Sequence, residues 1–61
     1  MCYTHTFEFL FNGETHNVVV IGYDDEAWEY AIRYVKEDFN ITDEALIESC
    51  LTLVDTDYST N

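Results

Sequence analysis

The sequence predicts a small α+β domain, a β-β-α-β chain whose antiparallel sheet of about three strands packs on one helix. Three observations carry this prediction: an alternating aromatic segment ahead of an Asn-Gly pair, a stripe of apolar residues at helical spacing, and a short β-prone segment near the end. At 61 residues and 7.2 kDa the chain forms a single acidic domain over residues 1–61. We expect an ordered core over about 3–55 and a polar tail over 56–61.

The first two predicted strands form a hairpin. Residues 3–11 alternate between polar side chains and one aromatic-rich face, made of Tyr3, His5, Phe7, Phe9 and Phe11. Asn12-Gly13 follows, and this pair favours a type I′ turn because both central positions need positive φ. A second strand is predicted from about residue 15 to residue 23, through a run of β-branched residues.

The length of the hairpin loop decides which side chains share a face. A two-residue loop pairs Phe7 with Val18 and His5 with Val20. A three-residue loop with a glycine bulge instead places Phe7 and His5 on the face of Asn17, Val19 and Ile21. The sequence leaves both registers open, and in either one the hairpin has a strongly apolar face that another element must cover.

A helix running to about Phe39 is predicted to provide that cover. Asp24, Asp25 and Glu26 supply a cap and favourable negative charge at its start. Trp28 is expected in the core and Tyr30 outside the buried stripe, which makes Tyr30 the better interface residue. The predicted stripe contains Ala27, Trp28, Ala31, Ile32, Val35 and Phe39.

The last third of the chain is ambiguous between helix and strand over residues 43–50. Asn40 suits a helix C-terminus, and Thr42-Asp43 begins a segment typical of a second N-cap. We expect one helical turn near residues 43–47. A strand from about residue 48 to residue 55 then joins the edge of the hairpin.

Composition excludes several classes of function. Thirteen Asp and Glu against two Lys and Arg give a net charge of −11, which phosphates and anionic lipid headgroups repel. We therefore expect no direct nucleic-acid binding and no membrane binding. Two cysteines, Cys2 and Cys50, are too few for a disulfide framework, and no signal peptide is recognisable, so a cytoplasmic location is predicted.

The sequence shows little that catalysis would need. With only two glycines there is no phosphate-binding loop, and no nucleophile–base order stands out. Cys2, His5, His16 and Cys50 lack the short spacings of structural zinc sites. We expect neither enzymatic activity nor a metal or other cofactor.

Binding through an acidic surface is the function that remains. A domain of this charge meets basic surfaces rapidly, and basic surfaces are most often those that bind nucleic acid. Carboxylates cluster around the predicted helix and just beyond it, in a stripe about 20 Å long at 1.5 Å per helical residue. The candidate partner-binding residues are Asp24, Asp25, Glu26, Glu29, Tyr30, Glu37, Asp38, Asp43, Glu44 and Glu48.

The layout from Thr6-Phe7-Glu8-Phe9 through Asp25-Glu26-Ala27 to Ala31 resembles that of small acidic inhibitors encoded by bacteriophages. These include anti-CRISPR proteins, the small inhibitor of bacterial RNA polymerase, and DNA mimics aimed at restriction or repair enzymes. The resemblance covers residues 3–40. It implies a target in the host cytoplasm, commonly a nucleic-acid-handling protein, and it assigns no role to individual residues.

An alternative from a different class is a structural or assembly module. The aromatic density of the first strand and the open edge of a three-stranded sheet favour this reading. Such a module would homodimerise through the sheet edge or the aromatic face. Its self-association would survive high salt, whereas binding by the acidic face would weaken steeply.

Overall fold

Residues 3–58 fold as one three-stranded antiparallel sheet with two helices, which confirms the predicted α+β class. The computed structural model describes residues 3–58. The strand order is β2-β1-β3, with β1 central. The elements in chain order are β1 (Tyr3–Phe11), β2 (Glu14–Gly22), α1 (Asp24–Asp38), α2 (Glu44–Cys50) and β3 (Leu51–Asp57).

The hairpin between β1 and β2 has the register of a two-residue loop. Asn12 has φ 54° and Gly13 has φ 78°, as a type I′ turn requires. Phe7 accordingly pairs with Val18, and His5 with Val20 (Cα partners). The side chains of His5, Phe7 and Phe9 therefore share one face with those of the even-numbered residues of β2.

Both helices cover that aromatic face, and the domain core lies between the two layers. Phe7 and Phe9 are fully buried there. The other sheet face has no helix over it in the described residues, and Leu10, Val19 and Ile21 are more than half exposed on it. The apolar core consists of Phe7, Phe9, Val18, Val20, Ala27, Ala31, Val35, Ile47 and Leu51.

The predicted side-chain cap of α1 is wrong. The N-cap residue is Tyr23, whose side chain makes no cap hydrogen bond. The amides of Glu26 and Ala27 donate instead to the Tyr23 carbonyl, at 3.0 Å each. Asp24 already lies inside the helix, so its carboxylate cannot reach back to cap. The negative charge of the first turn remains favourable to the helix dipole.

Trp28 is more exposed, and Tyr30 is more buried, than helical spacing predicts. Trp28 is 39% exposed and lies at the rim of the core, with its ring edge-on to Phe7 at 5.0 Å between centroids. Tyr30 is half-buried against the core. Its ring covers Gly22 so closely that a Cβ at Gly22 would lie 2.9 Å from a ring carbon. The absence of a side chain at Gly22 makes room for this tyrosine.

The segment between the helices, residues 39–43, contains the C-cap of α1 and the N-cap of α2. Asn40 has φ 57°, and the Ile41 amide donates to the Lys36 carbonyl at 3.1 Å, which is the bond of a Schellman motif. Asp43 then caps α2, because its Oδ1 accepts from the amides of Ala45 (3.1 Å) and Leu46 (3.3 Å). Both helix-terminus predictions in this segment are confirmed.

The boundary between α2 and β3 differs from the prediction. The helix continues to Cys50 instead of ending near residue 47, so the strand begins at Leu51 instead of near residue 48. This longer helix buries Ile47, and Leu51 enters the same core. The strand also includes Thr56 and Asp57, which were expected in the tail. Cys2 and the tail positions 59–61 lie outside the described residues.

His5 on β1 forms hydrogen bonds with both edge strands at the end of the sheet opposite the hairpin loop. Its Nε2 lies 2.9 Å from the carbonyl oxygen of Gly22 on β2 and must donate to it. Its Nδ1 lies 3.2 Å from Oγ1 of Thr56 on β3 and accepts from that hydroxyl in the neutral ring. The side chain is 1% exposed and fully satisfied, so its role is structural.

Candidate functional site

An open groove of about 850 Å³ lies between the faces of α1 and α2. The indole of Trp28 and the side chain of Ile32 line it as apolar surface. Five carboxylates and two cations surround these, for a formal net charge of −3. The charged residues of the groove are Asp25, Glu29, Arg33, Lys36, Glu37, Glu44 and Glu48.

The two helices supply opposite sides of the groove. On α1 the charged positions recur every three or four residues from Asp25 to Glu37, which spans about 18 Å at 1.5 Å per residue. On α2, Glu44 and Glu48 lie one turn apart. The turn at residues 39–43 brings α2 back beside α1, where Lys36 Nζ donates to Glu44 Oε2 at 2.7 Å.

Both basic residues of the chain lie in this groove, and glutamates neutralise both. Arg33 pairs with Glu29 at 3.5 Å, the i,i+4 arrangement expected from the sequence, and Lys36 pairs with Glu44. Asp25, Glu37 and Glu48 have no ion-pair partner in the described part of the chain. The groove therefore retains three uncompensated carboxylates beside an exposed indole.

Five of the ten predicted binding residues line the groove, and the structure assigns other contacts to most of the rest. Asp24 accepts a hydrogen bond from the Tyr58 hydroxyl at 3.3 Å. Glu26 accepts one from the Tyr30 hydroxyl at 3.0 Å. Asp43 is the cap of α2. Asp38 lies at the C-terminal end of α1, in a smaller depression that Tyr34 also lines.

Two tyrosines have raised pKa values because of the acidic side chains beside them. The hydrogen bond to Glu26 and the negative charge of that carboxylate raise the pKa of Tyr30. The charge of Asp24 raises the pKa of Tyr58, with burial and the hydrogen bond to Asp24 adding to the effect. The first turn of α1 thus uses two of its acids in local contacts outside the groove.

Sequence reasoning missed the apolar surface of the groove and the position of its cations. Only the Glu29–Arg33 pair was readable from spacing along one helix. Lys36 and Glu44 meet across a turn, so their contact depends on tertiary structure. The spacing of Trp28 matches the stripe and predicts a core position, and no sequence signal separates a core indole from one at the rim.

The described residues hold no group of three or more His, Cys, Asp or Glu side chains placed to bind a metal ion. His5 is committed to its hydrogen bonds. His16 lies edge-on to Phe39, with ring centroids 4.8 Å apart, and Cys50 is half-buried. Within residues 3–58, no helix has the length and apolar character to cross a membrane.

Comparisons with protein-family models, with curated proteins and with solved structures give no match to this chain. The kind of ligand that the groove suits therefore follows from the chemistry of its own residues. A carboxylate pair beside an indole binds Lys or Arg side chains well, because the cationic head pairs with carboxylate while the stem and guanidinium plane lie on the aromatic face.

Proposed function

We propose that this protein is a non-enzymatic inhibitor. Its acidic groove docks on the basic surface of a host protein that binds nucleic acid and blocks access of the nucleic acid by charge and shape. The resemblance to phage-encoded inhibitors of CRISPR effectors, RNA polymerase and DNA enzymes supports this class of target, and a host-cytoplasmic location belongs to the same proposal.

The distribution of charge in the groove is the observation that carries the proposal. Thirteen acids would repel one another on any surface, and both available cations are held within the groove. Asp25 on α1 and Glu48 on α2 nevertheless have no ion-pair partner among residues 3–58, and both line the groove together with Trp28. A surface that holds uncompensated carboxylates beside an exposed aromatic ring suits a partner rich in Arg and Lys.

Competition with nucleic acid follows from the chemistry of such a partner. Protein surfaces with many Arg and Lys side chains bind phosphates through those side chains, and the acidic groove offers carboxylates in place of phosphates. Because the attraction acts between exposed charges, it weakens as the Debye length falls from about 10 Å at 0.1 M salt to about 3 Å at 1 M. Duplex DNA should displace the protein from its target.

Capture from a bacterial lysate tests the proposal. Immobilised wild-type protein should retain a nucleic-acid-binding protein at low salt, and added DNA or high salt should release it. The variant Asp25→Lys with Glu48→Lys reverses two groove charges without breaking an internal ion pair, and it should lose that capture.

The matched control is Glu8→Lys with Asp55→Lys. Both residues are exposed and lie on the uncovered sheet face, so this variant has the same net charge as the groove variant. It should keep most of the capture. Equal losses in the two variants would show that only overall charge matters, and unchanged capture by the groove variant would refute the groove as the binding surface. Circular dichroism should show both variants folded.

A further inference from the structure

The two edges of the sheet differ in how they are protected against pairing. The edge strand β3 has a register irregularity, where Thr6 pairs with Asp55 and Phe7 with Leu53, which leaves Val54 between them. It also carries two aspartates. Bulges and charged side chains are common devices that prevent edge-to-edge association. β3 is therefore a protected edge.

The other edge strand, β2, has no bulge, and its one acidic residue, Glu14, lies at the hairpin end. Its nine residues pair with β1 in unbroken register. Residues 15–22 contain no Asp, Glu, Lys, Arg or Pro, and a β-branched run fills their second half. A regular, uncharged edge of this length is suited to pairing with another strand.

The hairpin register shows which backbone groups of β2 face outward. In a two-residue hairpin the flanking residues, Phe11 and Glu14, exchange hydrogen bonds, and such pairs then recur at every second position. The even-numbered residues of β2 therefore bond to β1. The amides and carbonyls that point away from the sheet belong to Thr15, Asn17, Val19 and Ile21, whose side chains are all exposed on the uncovered face.

Charge complementarity indicates what kind of strand would pair there. α1 packs mainly on β2, and its contact between Tyr30 and Gly22 shows which side of the helix faces this edge. By helical spacing Glu26, Tyr34 and Asp38 lie on that same side. The guanidinium of Arg33 lies over the Tyr30 ring, 5.9 Å from its centroid, but Glu29 neutralises it, and Lys36 pairs with Glu44 in the groove. The edge is therefore uncharged along the strand and acidic above it.

We infer that β2 binds an extended segment of a partner protein, with Lys or Arg side chains at alternate positions beneath α1 and β-branched or small side chains beside Val19 and Ile21. The segment would add a fourth strand to the sheet by antiparallel backbone hydrogen bonds. This surface is separate from the groove, and the inference does not depend on the proposed inhibitor function.

Two isomeric peptides test the role of the backbone. The probe is a synthetic peptide of alternating lysine and valine, as long as β2. When its valines lie on the uncovered face, the valine amides point toward β2 and the lysine amides point away. N-methylation of all valine amides should therefore weaken binding about a hundredfold. N-methylation of the lysine amides gives a peptide of the same charge and composition, and its binding should stay close to that of the parent peptide.

Two protein variants locate the binding edge. Val19→Lys puts a positive charge at the edge, and it should weaken binding of the parent peptide about tenfold or more. Leu10→Lys makes the same charge change on the same face at similar exposure, but on the central strand, and it should have a much smaller effect. Amide NMR shifts on peptide addition should be largest from Thr15 to Ile21.

Several outcomes would overturn the inference. Equal binding of the two methylated isomers would show attraction by charge alone, and shifts confined to the groove would place the peptide there. A free protein that sediments as a dimer, and becomes monomeric in Val19→Lys but not in Leu10→Lys, would show that a second copy occupies the edge. The variant Asp25→Lys with Glu48→Lys should still prefer the isomer methylated on its lysines, so failure of the groove and failure of the edge are distinguishable.

Discussion

The two helices cover the same face of the sheet, but they are secured in different ways. α1 is 15 residues long and buries three small or β-branched residues, and no side chain caps its start. α2 is seven residues long, buries only Ile47, and begins at a side-chain cap from Asp43. The long helix depends on a repeated contact along its length, whereas the short helix depends on one side chain in the core and one at its terminus.

This difference matters for the candidate site, because the groove needs both helices. α1 supplies Trp28 and most of the charges, while α2 supplies Glu44 and Glu48. A helix of seven residues is too short to be stable by itself in water. Besides the ion pair of Glu44 with Lys36, the position of its two glutamates is therefore set by Ile47 and Asp43, neither of which lines the groove. Changes at those two residues test how α2 is held.

The largest effect is expected for Ile47→Ala. Ile47 is fully buried, so its truncation should cost about 2–5 kcal/mol through lost apolar contact and the cavity left behind. That is a large share of the stability of a 61-residue domain, about 3–9 kcal/mol at 0.05–0.15 kcal/mol per residue. Urea unfolding followed by circular dichroism measures the loss.

Leu46→Ala is the matched control for this change. Leu46 is the neighbouring residue on the same helix and is 44% exposed, so its truncation should cost at most about 0.5 kcal/mol. Similar losses at the two positions would contradict the view that a single core contact holds α2.

A smaller effect is expected from the cap of α2. Asp43→Ala leaves the amides of Ala45 and Leu46 without their acceptor and should cost about 1 kcal/mol, whereas Asp43→Asn should retain most of the stability because Asn also caps well. Asp24→Ala removes an acid from the first turn of α1 that is not a cap, and it should cost only about 0.3–1 kcal/mol. Urea midpoints of the three variants decide the order, and a larger loss for Asp24→Ala would reverse the comparison.

The two helix starts also show how far sequence reasoning reaches. Asp43 follows a turn marked by Asn40, and the predicted cap is confirmed there. Asp24 has the same residue type ahead of a longer apolar stripe, but the chain enters α1 directly from β2, so Tyr23 occupies the cap position. Sequence gives the cap residue type, and the path of the preceding strand decides which residue stands at the cap.

The hairpin register, the end of α2 and the groove are likewise only partly predictable from the sequence. The Asn-Gly turn fixes the hairpin locally, but the register needed backbone φ values to be settled. Residues 48–50 have both helical and β character, so the sequence predicts the end of α2 too early, and Ile47 and Leu51 on the two sides of the observed boundary both enter the core. Acidic residues alone predict five of the nine residues that line the groove. The contact of Lys36 with Glu44 needed the tertiary turn.

The smallest predicted effect concerns the acids of α1 that do not cap it. Glu26 raises the pKa of Tyr30, so the folded protein holds that proton more tightly than the unfolded chain, where tyrosine titrates near pH 10. This stabilisation is complete below about pH 10 and is lost as the pH rises through the folded pKa of Tyr30. The free energy of unfolding should therefore fall with pH above about 10, and Glu26→Gln should reduce that fall.

Tyrosinate absorbance during an alkaline titration measures the shift directly, and subtraction of a Tyr30→Phe titration isolates Tyr30 from the other tyrosines. Glu26→Gln should lower the pKa of Tyr30 toward the usual value and leave Tyr58 unmoved. Asp24→Asn is the matched change, because it should lower the pKa of Tyr58 and leave Tyr30 unmoved. If Tyr30 titrated alike with Glu or Gln at position 26, the hydrogen bond would not form in solution, and the first turn of α1 would have acids free to face a partner.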